Sequence, residues 1–377
     1  MAYRRFGRTG LRVSVFSLGT MRALATETLF RQTVERAVAL GVNHLETAQG
    51  YGQGEVYLGR AVRAGLGRPR PNLIVTTKIP PQPTYTAMAE TLERSLERLG
   101  LDYVDCVAIH GLNTAEHLTW VLNPEGCMAA VRAMQAAGRI RHIGFSTHGP
   151  LEIILAAIQS GQFAFVNLLY SLFHPRNRPA VALAADQDMG VFIISPSDKG
   201  GQFFTPPSRL VDLCAPYPPW AVNYRWLLSD PRITTLSLGA AHPAELDAPL
   251  AWGEQIGPLT ENECAVLDRL AQVQADALGS DQCHQCHACL PCPEAIAIPD
   301  ILRLRNLAVA YDMTGFGKYR YAMLENAGHW FPGRRGDRCT DCGDCLPRCP
   351  THLPIPSLLR DTHQRLQGPA GRRLWQD

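Results

Sequence analysis

The sequence predicts an α/β protein: a closed (β/α)8 TIM barrel followed by a smaller, mostly helical domain built around cysteines. Three observations predict it. Eight short apolar segments alternate with longer amphipathic ones over residues 1–259. Glu46, Lys78 and His110 each close one of those segments and recur at a 32-residue interval. Eight of the twelve cysteines are crowded between Cys283 and Cys349. At 377 residues the chain exceeds one compact domain, and it reads as a barrel over 1–259, a connecting helix over 260–280 and a cysteine domain over 281–377.

The expected strands are 15–19, 42–46, 73–78, 103–109, 141–145, 164–168, 191–195 and 233–238. Helical periodicity falls between them, at 29–40, 84–99, 127–137, 151–159 and 177–188. Strands separated by helical crossovers pair in parallel, and eight such units over about 250 residues suit a closed barrel. A doubly wound sheet uses the same alternation, but no glycine-rich dinucleotide fingerprint follows the first strand.

The 32-residue interval is one β/α unit, so Glu46, Lys78 and His110 share one mouth of the barrel, the face that carries active sites in this architecture. Tyr51 lies in the loop after the second strand, at the same mouth. Such a set has a chemistry of its own. A lysine ammonium stabilises a tyrosine phenolate and makes the phenol a better acid, and a carboxylate holds the lysine charged and oriented. A histidine can hydrogen-bond a substrate carbonyl. The result is a polarised carbonyl beside a proton donor, which suits hydride addition. Chance polar strand ends would need four residues to coincide in register.

The cysteines form two groups. The first reads CHQCHACLPCP, with Cys283, Cys286, Cys289 and Cys292; the second reads CTDCGDCLPRCP, with Cys339, Cys342, Cys345 and Cys349. Three cysteines at three-residue intervals wrap three corners of a 4Fe–4S cubane, and the fourth, before a proline, ligates the other cluster in two-cluster proteins. The expected sets are Cys283, Cys286 and Cys289 with Cys349, and Cys339, Cys342 and Cys345 with Cys292. The first group is one residue shorter before its last cysteine. Four-cysteine zinc sites, the alternative, use separated CxxC pairs. His284, His287 and His352 lie beside the ligands as surface residues or hydrogen-bond donors, and the single cysteines Cys106, Cys127, Cys214 and Cys264 read as small apolar residues.

Composition excludes other classes. With 46% hydrophobic and 19% charged residues and a formal net charge of +2, nothing draws the chain to nucleic acid or to an anionic membrane. The polar, basic start MAYRRFGRTG lacks a signal-peptide core, and no apolar run spans a bilayer, so a cytoplasmic protein is expected.

The barrel segments resemble the aldo-keto reductase family. HLETAQGYGQGEVYLGRAV is similar to that family's D-T-A-x-x-Y-G-x-x-E-x-x-L-G stretch, and IVTTKI, VAIHGL, GRIRHIGFSTHG and FIISPSDKGG follow in the family's order. The complete chain resembles the subgroup that ends in a dicluster ferredoxin-like domain. The resemblance implies Tyr51 as general acid, Lys78 as its activator, His110 as the carbonyl-orienting group and Glu46 in the aspartate position. It also implies NADP(H) bound across the mouth, at Ser146, Thr147, Asn167, Ser195 and Gly239. Thr147 stands where asparagine is usual, Asn167 where glutamine is usual and Ile194 where an aromatic is common; GAAHPAEL at 239–246 lacks the Arg or Lys that grips a 2′-phosphate.

Three functions follow as expectations. The first is an oxidoreductase acting on a small carbonyl compound with electrons from NADPH, from the clusters or from both. Hydride carries two electrons and a cluster ordinarily takes one, so direct exchange needs a mediator. The second is an electron-transfer module with an inactive barrel, Arg334, Arg335 and Arg338 docking an acidic carrier such as ferredoxin or flavodoxin. The third uses the clusters as structural staples. The Pro- and aromatic-rich segment 201–230 either walls a substrate pocket or packs between domains.

Overall fold

The computed structural model describes residues 1–197, 199 and 201–369. The last eight residues of the expected C-terminal domain, 370–377, lie outside them. Two compact units emerge: residues 1–196 with 224–258, and residues 197–223 with 259 onward.

The first unit is the barrel. A hairpin of β1 (Tyr3–Arg5) and β2 (Arg12–Ser14) precedes it. The barrel strands are β3 (Phe16–Gly19), β4 (His44–Glu46), β5 (Ile74–Ile79), β6 (Val104–His110), β7 (Ile140–Thr147), β8 (Phe165–Leu168), β9 (Gly190–Ile193) and β10 (Thr235–Leu238). All pair in parallel, in chain order, and β10 closes on β3. Each of the eight expected strands overlaps one of these. Helices lie between them, and Thr26, Thr84 and Thr114 cap three, each hydroxyl accepting from a first-turn N–H.

Side chains alternate along a strand, so each inward face is layered. At the base, Phe6 from the hairpin region packs on Phe165 with ring centroids 5.1 Å apart. Gly190 admits it: a Cβ there would sit 2.1 Å from the Phe6 ring. Above lies a buried polar layer, in which His44 joins Ser17 (2.8 Å) and Thr76 (2.7 Å). Burial, then the charge of Lys78, drives the His44 pKa down to about 3, so the ring is neutral. The next inward positions are Glu46, Lys78, His110 and Asn167.

The second unit is helical. Its longest helix, Glu261–Leu278, opens with a reciprocal capping box between Thr260 and Glu263. Tyr311 donates to Leu270 O (2.8 Å), and Arg209 and Arg269 tie the helix Ser208–Cys214 to the unit through Ala310 O and Leu213 O (both 2.8 Å). The two cysteine groups begin a repeat: residues 283–303 match 339–360 with Arg348 as the one inserted residue, ending in IPDILR and IPSLLR. The repeat is also in the backbone. Gln285 and Asp341 have φ of 59° and 56°, His287 and Gly343 62° and 80°, and Ala295 and His352 both 53°. Each copy then starts a helix, Ile298–Tyr311 and Ile355–Leu366, with proline in its first turn. No helix among the described residues is long and apolar enough to cross a membrane.

Candidate functional site

The barrel mouth brings the four catalytic candidates together. Lys78 Nζ lies 2.8 Å from Glu46 Oε2, and both side chains are about 3% exposed or less. Burial pulls the Lys78 ammonium down, but Glu46 and Tyr51 outweigh it and hold the pKa above the ordinary lysine value. Lys78 also hydrogen-bonds Tyr51 and stands 5.0 Å from the centre of its ring. Tyr51 meets His110 edge to face, with centroids 5.8 Å apart at 89°. The longer carboxylate at position 46 thus still reaches the lysine.

The loop carrying Tyr51 is fixed by a residue to which the sequence reading gave no role. Glu55 is buried, accepts from Thr77 Oγ1 (2.6 Å) one residue before Lys78, and pairs with Arg98 (Nε to Oε2, 2.8 Å). Gly54 N donates to Tyr51 O at 2.7 Å. On the other side of Tyr51, Gln49 N donates to Lys78 O at 2.9 Å, so the loop is anchored to β5 before and after the tyrosine.

The expected cofactor residues take different parts. Asn167 Nδ2 donates to Glu46 Oε1 at 2.6 Å, so its nitrogen belongs to the Glu46–Lys78 pair. Its Oδ1 is buried without a hydrogen-bond partner. That orphaned acceptor fits the carboxamide N–H of a nicotinamide. The Thr147 hydroxyl donates to Leu112 O (2.8 Å) and accepts from Gly149 N (3.0 Å), which gives it structural partners. Ser146 is buried at the end of β7, beside His110 in register. Ser195 turns the chain after β9 with φ of 48°, the kind of backbone strain found at ligand sites. A Cβ at Gly239 would meet the Arg22 side chain at 3.8 Å, and the Gly239 carbonyl is held by Arg22 Nη1 at 2.8 Å. Arg22, which also meets Glu245 at 3.1 Å, brings a cation to the segment where the local sequence offers none.

In the second unit each expected cysteine set lines one cavity. Cys283, Cys286, Cys289 and Cys349 line one cavity, and Cys292, Cys339, Cys342 and Cys345 line the other. Among the described residues no three histidine, cysteine or carboxylate side chains are set to hold a single metal ion. Sulfurs spread around a cavity suit a cubane better than lone zinc. Burial, then the neighbouring Cys283 and Cys286, pushes the Cys289 thiol up to about 12.

Arg334, Arg335 and Arg338 do not form an open basic patch. Their Nε atoms converge on Glu325, at 3.8, 3.1 and 3.0 Å, and Arg334 also meets Glu294 at 3.4 Å. The hydrogen bond from Arg338, with further ones from Arg335, outweighs the opposing effect of burial and brings the Glu325 carboxyl down to about 2.

Comparison with known proteins agrees with this geometry. The aldo/keto reductase family profile matches residues 16–205, half of the chain, and a 4Fe-4S dicluster domain profile matches residues 282–353. The chain belongs to the aldo/keto reductase family and ends in a 4Fe-4S dicluster domain. The uncharacterized oxidoreductase YqkF of Bacillus subtilis is 26% identical over 213 residues, 53% of this chain and 66% of that protein. Curated relatives are matched over 28% to 66% of their own length. The holo form of aldo-keto reductase AKR11C1 from Bacillus halodurans aligns with a TM-score of 0.62 at 22% identity, covering 71% of this chain and 96% of that one. An aldo-keto reductase from Klebsiella pneumoniae in complex with NADPH gives 0.59 at 21%, covering 71% and 94%. At these identities the structures establish the shared barrel fold. The chain thus pairs a barrel of the aldo/keto reductase family with a 4Fe-4S dicluster domain.

Proposed function

We propose that the barrel mouth reduces, or in reverse oxidises, a small carbonyl compound, with Tyr51 as the proton donor. The observation that carries this is the buried Glu46–Lys78 pair set against Tyr51, with the His110 ring at its edge. Lys78 keeps its charge in a desolvated site and stabilises the phenolate left when Tyr51 gives up its proton. His110 orients the carbonyl oxygen toward that proton. Glu46 holds Lys78 in place, and Asn167 holds Glu46.

Nicotinamide, when bound, would supply hydride to the carbonyl carbon. The buried Asn167 Oδ1, with Ser146, Ser195 and Gly239 around the same mouth, supports its placement there. Two 4Fe–4S clusters, held by the two sets of four cysteines, complete the reading and would supply single electrons. A cytoplasmic setting belongs to it too, since a reducing compartment keeps the eight thiols available to iron.

The test is anaerobic turnover of a panel of aldehydes, ketones and alcohols, with NADPH, NADH or dithionite-reduced protein as the electron source. Tyr51→Phe should lose about 10²- to 10⁴-fold in turnover while cofactor binding, followed by fluorescence, persists. Undiminished turnover in Tyr51→Phe would overturn the assignment and leave the barrel an inactive carrier of an electron-transfer domain.

A further inference from the structure

We propose that the two clusters differ in reduction potential, the one in the Cys283 cavity being the more readily reduced, because Gln285 and its neighbours donate hydrogen bonds to its sulfurs where the other cavity offers carboxylates. This rests on the reading that each cavity holds one cubane.

The cysteine repeat makes the two cavities comparable position by position. Gln285 and Asp341 occupy the same place, two residues after the first cysteine of each group and in the same left-handed conformation. Gln285 Nε2 donates to Cys283 Sγ at 3.4 Å and to Pro299 O at 2.9 Å, which fixes its amide. Asp341 has no proton to donate, and its carboxylate pairs with Arg360 at 2.6 Å. The fourth ligands differ in the same direction. Cys349 Sγ accepts from Leu353 N at 3.4 Å and lies 3.5 Å from the Thr351 hydroxyl. The residue matching Thr351 after Cys292 is Glu294, which lines the second cavity. Ala288 is matched by Asp344, which also lines it. At three matched positions, then, the Cys283 cavity has a neutral residue and the Cys339 cavity an acid.

Reduction adds one negative charge that spreads onto the cluster and ligand sulfurs. Donors to sulfur stabilise that charge and raise the potential; nearby carboxylates oppose it and lower the potential. Arginines partly answer the acids: Arg360 on Asp341, Arg334 on Glu294, and Arg348 in the cavity lining. Those side chains reach solvent, where screening weakens them. The hydrogen bonds on Cys283 and Cys349 therefore carry most of the difference. An electron delivered to the pair settles on the first cluster: the second is oxidised by one electron, the first is reduced by one, and no bond or proton moves.

The experiment is a potentiometric titration of the anaerobic full-length holoprotein with dithionite and mediators, followed by EPR, beside iron and sulfide analysis. Two cubanes give about eight iron atoms per chain. Two resolved one-electron steps are expected, separated by at least a tenfold preference, ~59 mV. Gln285→Leu should lower only the upper step, by about the same tenfold in the reduced-to-oxidised ratio, and Asp341→Asn should raise only the lower step. Thr351→Val should lower the upper step by less; it decides the matter if Gln285→Leu fails to retain iron. A single unresolved step, or an upper step indifferent to both Gln285→Leu and Thr351→Val, overturns the inference. Iron near half the expected content overturns the two-cluster reading instead.

Discussion

The barrel mouth and the cysteine cavities solve the problem of buried charge in opposite ways. At the mouth, each charge has a protein partner: Lys78 against Glu46 at 2.8 Å, Glu46 also against Asn167 at 2.6 Å, all on strand ends. The cavities gather four sulfurs each, on loops that turn through left-handed residues rather than on strands. In the reading proposed above, bound iron neutralises them. The barrel site is thus preorganised by the chain, whereas the order of the second unit depends in part on what it binds.

Iron removal tests this contrast with the largest effect. Chelation under reducing conditions should loosen the repeat over 283–353 and expose it to protease, while the barrel peptides stay protected. Limited proteolysis read by mass spectrometry distinguishes the regions. Equal loss of protection in both units would break the comparison.

Lys78→Met attacks the barrel side. It should cut turnover as Tyr51→Phe does, and it also leaves the Glu46 charge buried without its cation, at a cost of about 3–5 kcal/mol in unfolding free energy. Adding Glu46→Gln should return much of that stability and none of the turnover. Urea denaturation of the single and double variants measures the first, steady-state kinetics the second.

Much of this arrangement was legible in the sequence, for a physical reason. Strand periodicity is local, and the 32-residue interval of Glu46, Lys78 and His110 turns local spacing into a shared mouth. That each cysteine set lines one cavity was legible because the cubane ligation proposed for it has its own spacing rule. What escaped was set by distance or by weak local signal. The hairpin Tyr3–Arg5 and Arg12–Ser14 has strands of three residues, too short to show alternation. The Asn167–Glu46 bond joins residues 121 apart, and Arg22 meets Gly239 across most of the barrel sequence. Arg334, Arg335 and Arg338 read as a basic patch because Glu325, which gathers them, lies outside their run. The segment 197–223 groups with the second unit, a partition that composition does not encode.

Reach sharpens the barrel side further. Position 46 is one methylene longer than the family's aspartate, position 167 is one methylene shorter than its glutamine, and in this chain the two side chains meet at 2.6 Å. Glu46→Asp should lose either the 2.8 Å contact to Lys78 or the 2.6 Å contact from Asn167. The expected cost is about 1.5–3 kcal/mol, the range for a hydrogen bond to a charged group. Combining it with Asn167→Gln should restore part of both stability and turnover. A double-mutant cycle measures the coupling, and strict additivity would show that the two residues act independently.

The smallest effect concerns the layer beneath. His44 is held neutral in the barrel, with a folded pKa of about 3 against 6.5 in the unfolded chain. Between those values the unfolded chain binds a proton that the folded barrel refuses. The stability is therefore fully present above pH 6.5 and drains away as pH falls toward 3, at up to about 1.4 kcal/mol per pH unit. His44→Gln keeps hydrogen-bonding capacity toward Ser17 and Thr76 but cannot titrate, so it should flatten this slope while lowering stability at neutral pH. Denaturant-dependent hydrogen exchange of β4 and β5 amides between pH 5 and 7 resolves the slope within the barrel. An unchanged slope in His44→Gln would place the barrel's acid sensitivity elsewhere, and would remove one of the grounds for treating its polar interior as fixed by the chain alone.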